Sequence, residues 1–219
     1  MKARKTRVAR WAAFGLLVAA LCMVAASCGG SDDEDRRTVV AGFYPLAWAA
    51  EQVAASSEVD FEIVNLTPAG AEPHDLELSP GDVETVRGAE VVLYVGGGFQ
   101  PALEDAVAER TGPSLDVLFT ADESDPHVWL DPVRFARIVS EVAEALGAAS
   151  TAGTSFLELN ALDDEYRLGL ANCERRELVT SHAAFGHLAA RYGLEQIALS
   201  GASPEAEPSP RELEQLAER

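Results

Sequence analysis

The chain has 219 residues, 47% of them apolar, and a formal charge of −19. So acidic a balance excludes nucleic acid and anionic lipid headgroups as partners, while it tolerates cations. The apolar content suffices for a packed core, and the roughly 180 residues beyond the N-terminal segment make one large or two small domains.

Residues 1–27 read as an export signal. Lys2, Arg4, Lys5, Arg7 and Arg10 precede an apolar run over 11–26, shorter than the ~20 residues a membrane-spanning helix needs. Ala25, Ala26 and Ser27 stand directly before Cys28, as at a bacterial lipoprotein processing site where the cysteine becomes lipid-modified. Ala25 occupies the position where such sites usually carry Leu; an ordinary cleaved signal is the alternative. Residues 28–37 (CGGSDDEDRR) are a polar, flexible tether, which a domain held beside a membrane requires. Loss of 1–27 removes five positive charges and no negative ones, so −19 becomes −24. Cys22 leaves with the signal and Cys173 remains as a harmless thiol, although an odd cysteine in an exported protein also suggests a missing partner.

Residues 38–131 alternate strand and helix. The pattern predicts strands over 38–43, 59–66, 90–95 and 115–119, with helices over 45–55, from Ser79-Pro80, and over 101–110. Ser79 is a cap, Pro80 suits the first turn, and Asp82 and Glu84 suit the positive end of the dipole. Gly96-Gly97-Gly98 reads as a tight turn, since it is not the GxGxxG of a dinucleotide site. Residues 132–172 form a helical linking region, 132–146 and 156–171, broken at 147–155. A second strand–helix–strand unit opens the region 173–219: strand 177–181, helix 183–192, strand 196–200, then a further helix from Ser209-Pro210. The fold class is therefore α/β, with parallel sheets and helices on their faces. Two strands cannot bury both faces of a parallel sheet, so a longer, two-lobed protein is expected, its second lobe incomplete here.

His74, His127 and His182 each follow a strand, and ligands in open α/β sheets bind beyond the carboxyl ends of strands. Three converging imidazoles make most of a zinc-type site and leave one tetrahedral position. His187, five residues past His182 on a helix, reads as an ordinary surface residue with at most a supporting role, so its loss is expected to spare binding. Asp75 and Asp131 read as orienting groups or helix caps rather than ligands; Glu205 and Glu207 read as a solvated loop. A hydrolase using the same histidines is the competing class, but no HExxH occurs and no Glu stands as a base beside a ligand.

On the motifs GFYPL, PHDLELSP, AEVVLYVGGGF (89–99), DPHVWLDP, VTSHAAFGHLAARYGL and SPEAEPSP, residues 38–219 resemble the zinc/manganese substrate-binding lipoproteins of bacterial ABC importers, the ZnuA-like family. That resemblance implies two Rossmann-like lobes joined by a long linking helix, with one metal in the cleft. His74, His127 and His182 match the family's metal-binding histidines, while its fourth ligand, a carboxylate of the second lobe, has no match here. The linking helix is several residues short around 147–155, and the His-rich loop of many zinc members is replaced by TADESD (120–125). Manganese-type members tend to carry Glu where His182 stands, so zinc is expected over manganese. The implied function is metal capture, without catalysis, by a monomer lipid-anchored at Cys28 outside the cytoplasm, for delivery to an ABC permease and its ATPase. An adhesin-type surface lipoprotein with a structural metal is the further alternative.

Overall fold

A computed structural model describes residues 36–118, 125–149, 153–201 and 211. The export signal, Cys28, most of the tether, Glu205, Glu207 and the helix opening at Ser209-Pro210 lie outside the described residues.

Val and Leu fill the buried strand positions 39–40 and 91–93, as strands buried on both faces require. Strands β1 (Arg37–Ala41), β2 (Phe61–Asn65), β3 (Val91–Tyr94) and β4 (Ser114–Asp116) form one sheet in the order β2-β1-β3-β4. All its pairs are parallel, with Val39 opposite both Ile63 and Val91. Successive side chains point to opposite faces, and two hydrophobic clusters follow. Val39, Val91 and Leu93 enter one cluster; Val40 and Val92 enter the other. Helices α1 (Tyr44–Ala55) and α4 (Pro132–Ala145) cover the first face, where Trp48 and Phe135 stack with centroids 5.5 Å apart. Helices α2 (Pro80–Gly88) and α3 (Pro101–Ala108) cover the second through Val86, Leu103 and Val107.

The expected cap at Ser79 is present as a reciprocal pair: Ser79 Oγ accepts from the Asp82 N–H, and Asp82 Oδ2 accepts from the Ser79 N–H. Gly97 and Gly98 adopt positive φ, 72° and 85°, as the tight turn after β3 demands. α4 buries Phe135, Ile138, Val139 and Val142 in the same cluster as β1 and β3. Helix α5 (Gly153–Leu170) packs along α4 but buries only Ser155, Leu159 and Asp163. Strands β5 (Glu177–Thr180) and β6 (Glu195–Ala198) form a second, two-stranded parallel sheet, with α6 (Gly186–Tyr192) between them in sequence. Predicted from residue 183, that helix begins three residues later, because 181–185 form a loop that turns His182 off the strand end. No helix among the described residues is long and apolar enough to cross a membrane.

Gly42 closes β1 against α3. A Cβ there would overlap Gln100 Oε1 and lie 2.9 Å from Leu103 Cδ2. Both are fully buried, so neither can retreat. Gly42→Ala is expected to lower stability by about 1–3 kcal/mol in urea unfolding.

Candidate metal centre

Three loops at strand ends carry the predicted histidines, and the fold brings all three together. His74 sits in a short 3-10 turn (Pro73–Asp75) after β2, His127 caps a second one (Val128–Leu130) after β4, and His182 follows β5. One ring nitrogen of each lies within 4.8 Å of the other two. Ring centroids are 5.5 Å apart for His74–His127, 6.0 Å for His74–His182 and 5.5 Å for His127–His182.

Each loop is fixed by its backbone. Gln100, at the N-terminus of α3, shares its two Nε2 hydrogens among the Gly42 and Pro73 carbonyls, each at 3.1 Å, and Thr67 Oγ1 at 3.3 Å. Thr67 Oγ1 donates in turn to the Gly42 carbonyl at 2.6 Å. These bonds tie the ends of β1 and β2 to the residue preceding His74. The His182 carbonyl accepts from Thr180 Oγ1 at 2.7 Å and from Gln196 Nε2 at 3.1 Å. Asp131 caps α4, as expected, through the N–H groups of Val133 and Arg134, and it is also paired with Arg134 and Arg191.

The carboxylate that orients a ring is Asp125, not Asp75 or Asp131. Asp125 Oδ1 lies 2.8 Å from His127 Nδ1 and accepts the His127 N–H at 3.1 Å. An ionised carboxylate only accepts, so Nδ1 carries the proton and Nε2 presents its lone pair. Burial pushes the Asp125 carboxyl up, but the two His127 bonds and the nearby His187 and His127 charges outweigh it, leaving it below the ordinary range. His127 Nε2 is buried without a hydrogen-bond partner in a ring 2% exposed. A buried, unpartnered acceptor costs about 1–3 kcal/mol, and it is tolerated here beside two further imidazoles. Burial lowers the His74 pKa below 6.5, partly countered by Glu72 and reinforced by His127 and His182.

An aromatic wall backs the site. Phe43, Phe99 and Trp129 pack on one another at 4.6–5.2 Å, with Phe99 edge-on to His74 at 4.3 Å and Trp129 against His127 at 5.3 Å. Phe43 of GFYPL, Phe99 of GGGF and Trp129 of HVW thus meet at one place beside the rings.

His187 departs from the surface position expected of it. Its ring is largely buried, and Nε2 donates to the Asp125 carbonyl at 3.0 Å. Asp125 and Gln100 are site residues the sequence does not single out, and His187 is one to which it gives at most a supporting role. Asp125 had one available signal, since an aspartate two residues before a turn residue commonly accepts that residue's N–H. His187 had none, because its contact spans 62 positions.

With this geometry established, the comparisons are specific. Residues 39–219 match the family model described as zinc-uptake complex component A, periplasmic. Zinc-binding lipoprotein AdcA of Streptococcus pneumoniae serotype 4 is 32% identical over 93% of this chain and 47% of its own length. High-affinity zinc uptake system protein ZnuA of Bacillus subtilis strain 168 is 28% identical over 92% of this chain and 75% of its own. The chain therefore spans about half the length of the AdcA relatives it matches. Among solved structures, the Zn(II)-bound ZnuA-like domain of S. pneumoniae AdcA superposes with a TM-score of 0.67 at 32% identity, covering 84% of this chain and 74% of that one. The laminin-binding protein Lmb of Streptococcus agalactiae, described as having adhesin and metal-transporting activity, gives 0.73 at 27% identity, covering 83% and 75%. Over nearly all of its α/β portion, then, this chain belongs to the zinc-uptake complex component A (ZnuA) family.

Proposed function

We propose that the chain is an extracytoplasmic zinc-capture protein, with His74, His127 and His182 as the metal ligands. The observation that carries this reading is the buried, unpartnered Nε2 of His127, in a ring that has one nitrogen within 4.8 Å of a nitrogen on each of two further imidazoles. Neutral imidazoles fit Zn2+ and leave one tetrahedral position for a carboxylate or water. Asp125 holds His127 in the tautomer that binds; the aromatic wall lowers the local dielectric, and the acidic surface draws the cation in. Asp125 stands behind the His127 ring, on the nitrogen away from the metal, where it cannot act as a base on metal-bound water. That placement supports binding over hydrolysis. The ion is cargo, passed on to an ABC permease driven by its ATPase, from a monomer held at the membrane by lipid on Cys28. Family membership and the zinc-uptake names of the relatives support this delivery role; Mn2+ is the alternative ion.

The test is a competition titration of the purified full chain with a chromophoric chelator. One Zn2+ per chain, bound more tightly than Mn2+, is expected. Zinc binding no better than that of a triple His74→Ala, His127→Ala, His182→Ala variant would end the proposal.

A further inference from the structure

His182 and His127 come from different sheets, so the distance between them depends on whatever joins the second sheet to the His127 loop. One short helix does this at two points. α6 starts four residues after His182, and its His187 donates from Nε2 to the Asp125 carbonyl at 3.0 Å, with Asp125 Oδ2 at 3.6 Å. One turn further on, Arg191 pairs with the buried Asp131. Asp125 and Asp131 bracket the segment that carries His127, and its Val128 is anchored in the first sheet's core. Gly186 permits the approach, because a Cβ there would lie 2.9 Å from Asp125 Oδ2.

We propose that α6 is a two-point clamp between the sheets, in which His187 and Arg191 are positioning residues that hold His127 in register with His182. The proposal rests on the zinc-site reading above. His187 acts through Asp125: by fixing that residue's carbonyl it fixes the carboxylate that orients His127 Nδ1. Arg191 fixes the far end of the segment through Asp131. Any movement that parts the two sheets must break both contacts and pull His127 away from His182, so sheet separation and ion release are one event.

The experiment uses the full chain with Zn2+ alone for dissociation rates and Co2+ alone for the visible ligand-field spectrum. His187→Phe fills the same space without a donor; His187→Gln keeps a donor near the Nε2 position. His187→Phe is expected to release Zn2+ about tenfold faster and to weaken the tetrahedral Co2+ bands, as loss of an outer partner does. His187→Gln should restore both to within about threefold. Arg191→Ala should act like His187→Phe, and Arg191→Lys should recover part of the loss. Phe and Gln variants that both match the parent, or that are equally impaired, would overturn the clamp. So would variants that lose thermal stability with an unchanged Co2+ spectrum, or that fail to fold, since either places His187 in folding alone. His127→Ala serves as the control. If it spares zinc binding, the ligand reading fails; if it abolishes binding while His187→Phe releases Zn2+ at the parent's rate, only the clamp fails.

Discussion

His127→Ala is expected to weaken Zn2+ binding by at least about 100-fold, beyond the 10- to 100-fold typical of losing an outer partner. The reason is geometric. His127 is the most buried of the three rings, and its Nε2 has no bond to protein that could compete with the metal. His74 and His182 are only part-buried, so water can replace their bonds at less cost. The companion variant His127→Phe separates binding from packing. It fills the cavity that Ala leaves, removes the unpartnered acceptor, and loses the bond to Asp125. The last two effects are each on the order of 1 kcal/mol and opposite in sign. Apo stability should therefore stay within about 1 kcal/mol of the parent while zinc affinity is lost, the usual tension between a preorganised site and folding. A chelator competition and a thermal melt check both. Affinity within threefold of the parent in either variant would remove His127 from the ligand set.

The reasons some of this was legible in sequence lie in how far each interaction reaches. Strand–helix alternation is local, so every strand and helix of the first sheet was found, with ends displaced by a few residues. The placement of His74 and His127 follows from a topological rule: in a parallel sheet, the loops after the strands share one edge, and His182 holds the equivalent position after a strand of the second sheet. That rule needs no knowledge of side-chain contacts. The partners of the histidines were another matter. Gln100 reaches back 58 residues to Gly42, and His187 reaches 62 residues to Asp125. Nothing within a short window marks those pairings. Five-residue spacing from His182 points His187 outward only if one helix carries both. The loop 181–185 breaks that phase and turns position 187 inward. The cap at Asp131 is legible because the Asp-Pro helix opening is local; its pairing with Arg191, 60 positions away, is not.

Zinc affinity is expected to fall steeply with acid, and the direction follows from proton competition. On the proposed ligand set, each imidazole must give up any proton it carries before it binds the ion, so affinity falls with acid and the slope of log Kd against pH approaches three. His74 enters this competition at a lower pH than a free imidazole does, because burial holds its pKa below 6.5. Affinity should thus drop by up to about 1,000-fold per pH unit once all three rings compete for protons. The same depression has a consequence for the metal-free chain. His74 is preferentially neutral when folded, so stability is fully present above the unfolded value of 6.5 and is lost as pH falls through the lower folded value. Asp125 responds in a different window. Its carboxyl is held below the ordinary range, so the stability it contributes is present above about pH 3.9 and disappears only below that. It therefore stays ionised, holding the His127 proton on Nδ1, throughout the range in which zinc is lost. Replacing Asp125 by Asn should leave the onset of acid release governed by the imidazoles while lowering affinity at every pH, in chelator titrations from pH 7.5 to 5. A binding curve flat across that range would mean that the ion is held by groups other than these histidines.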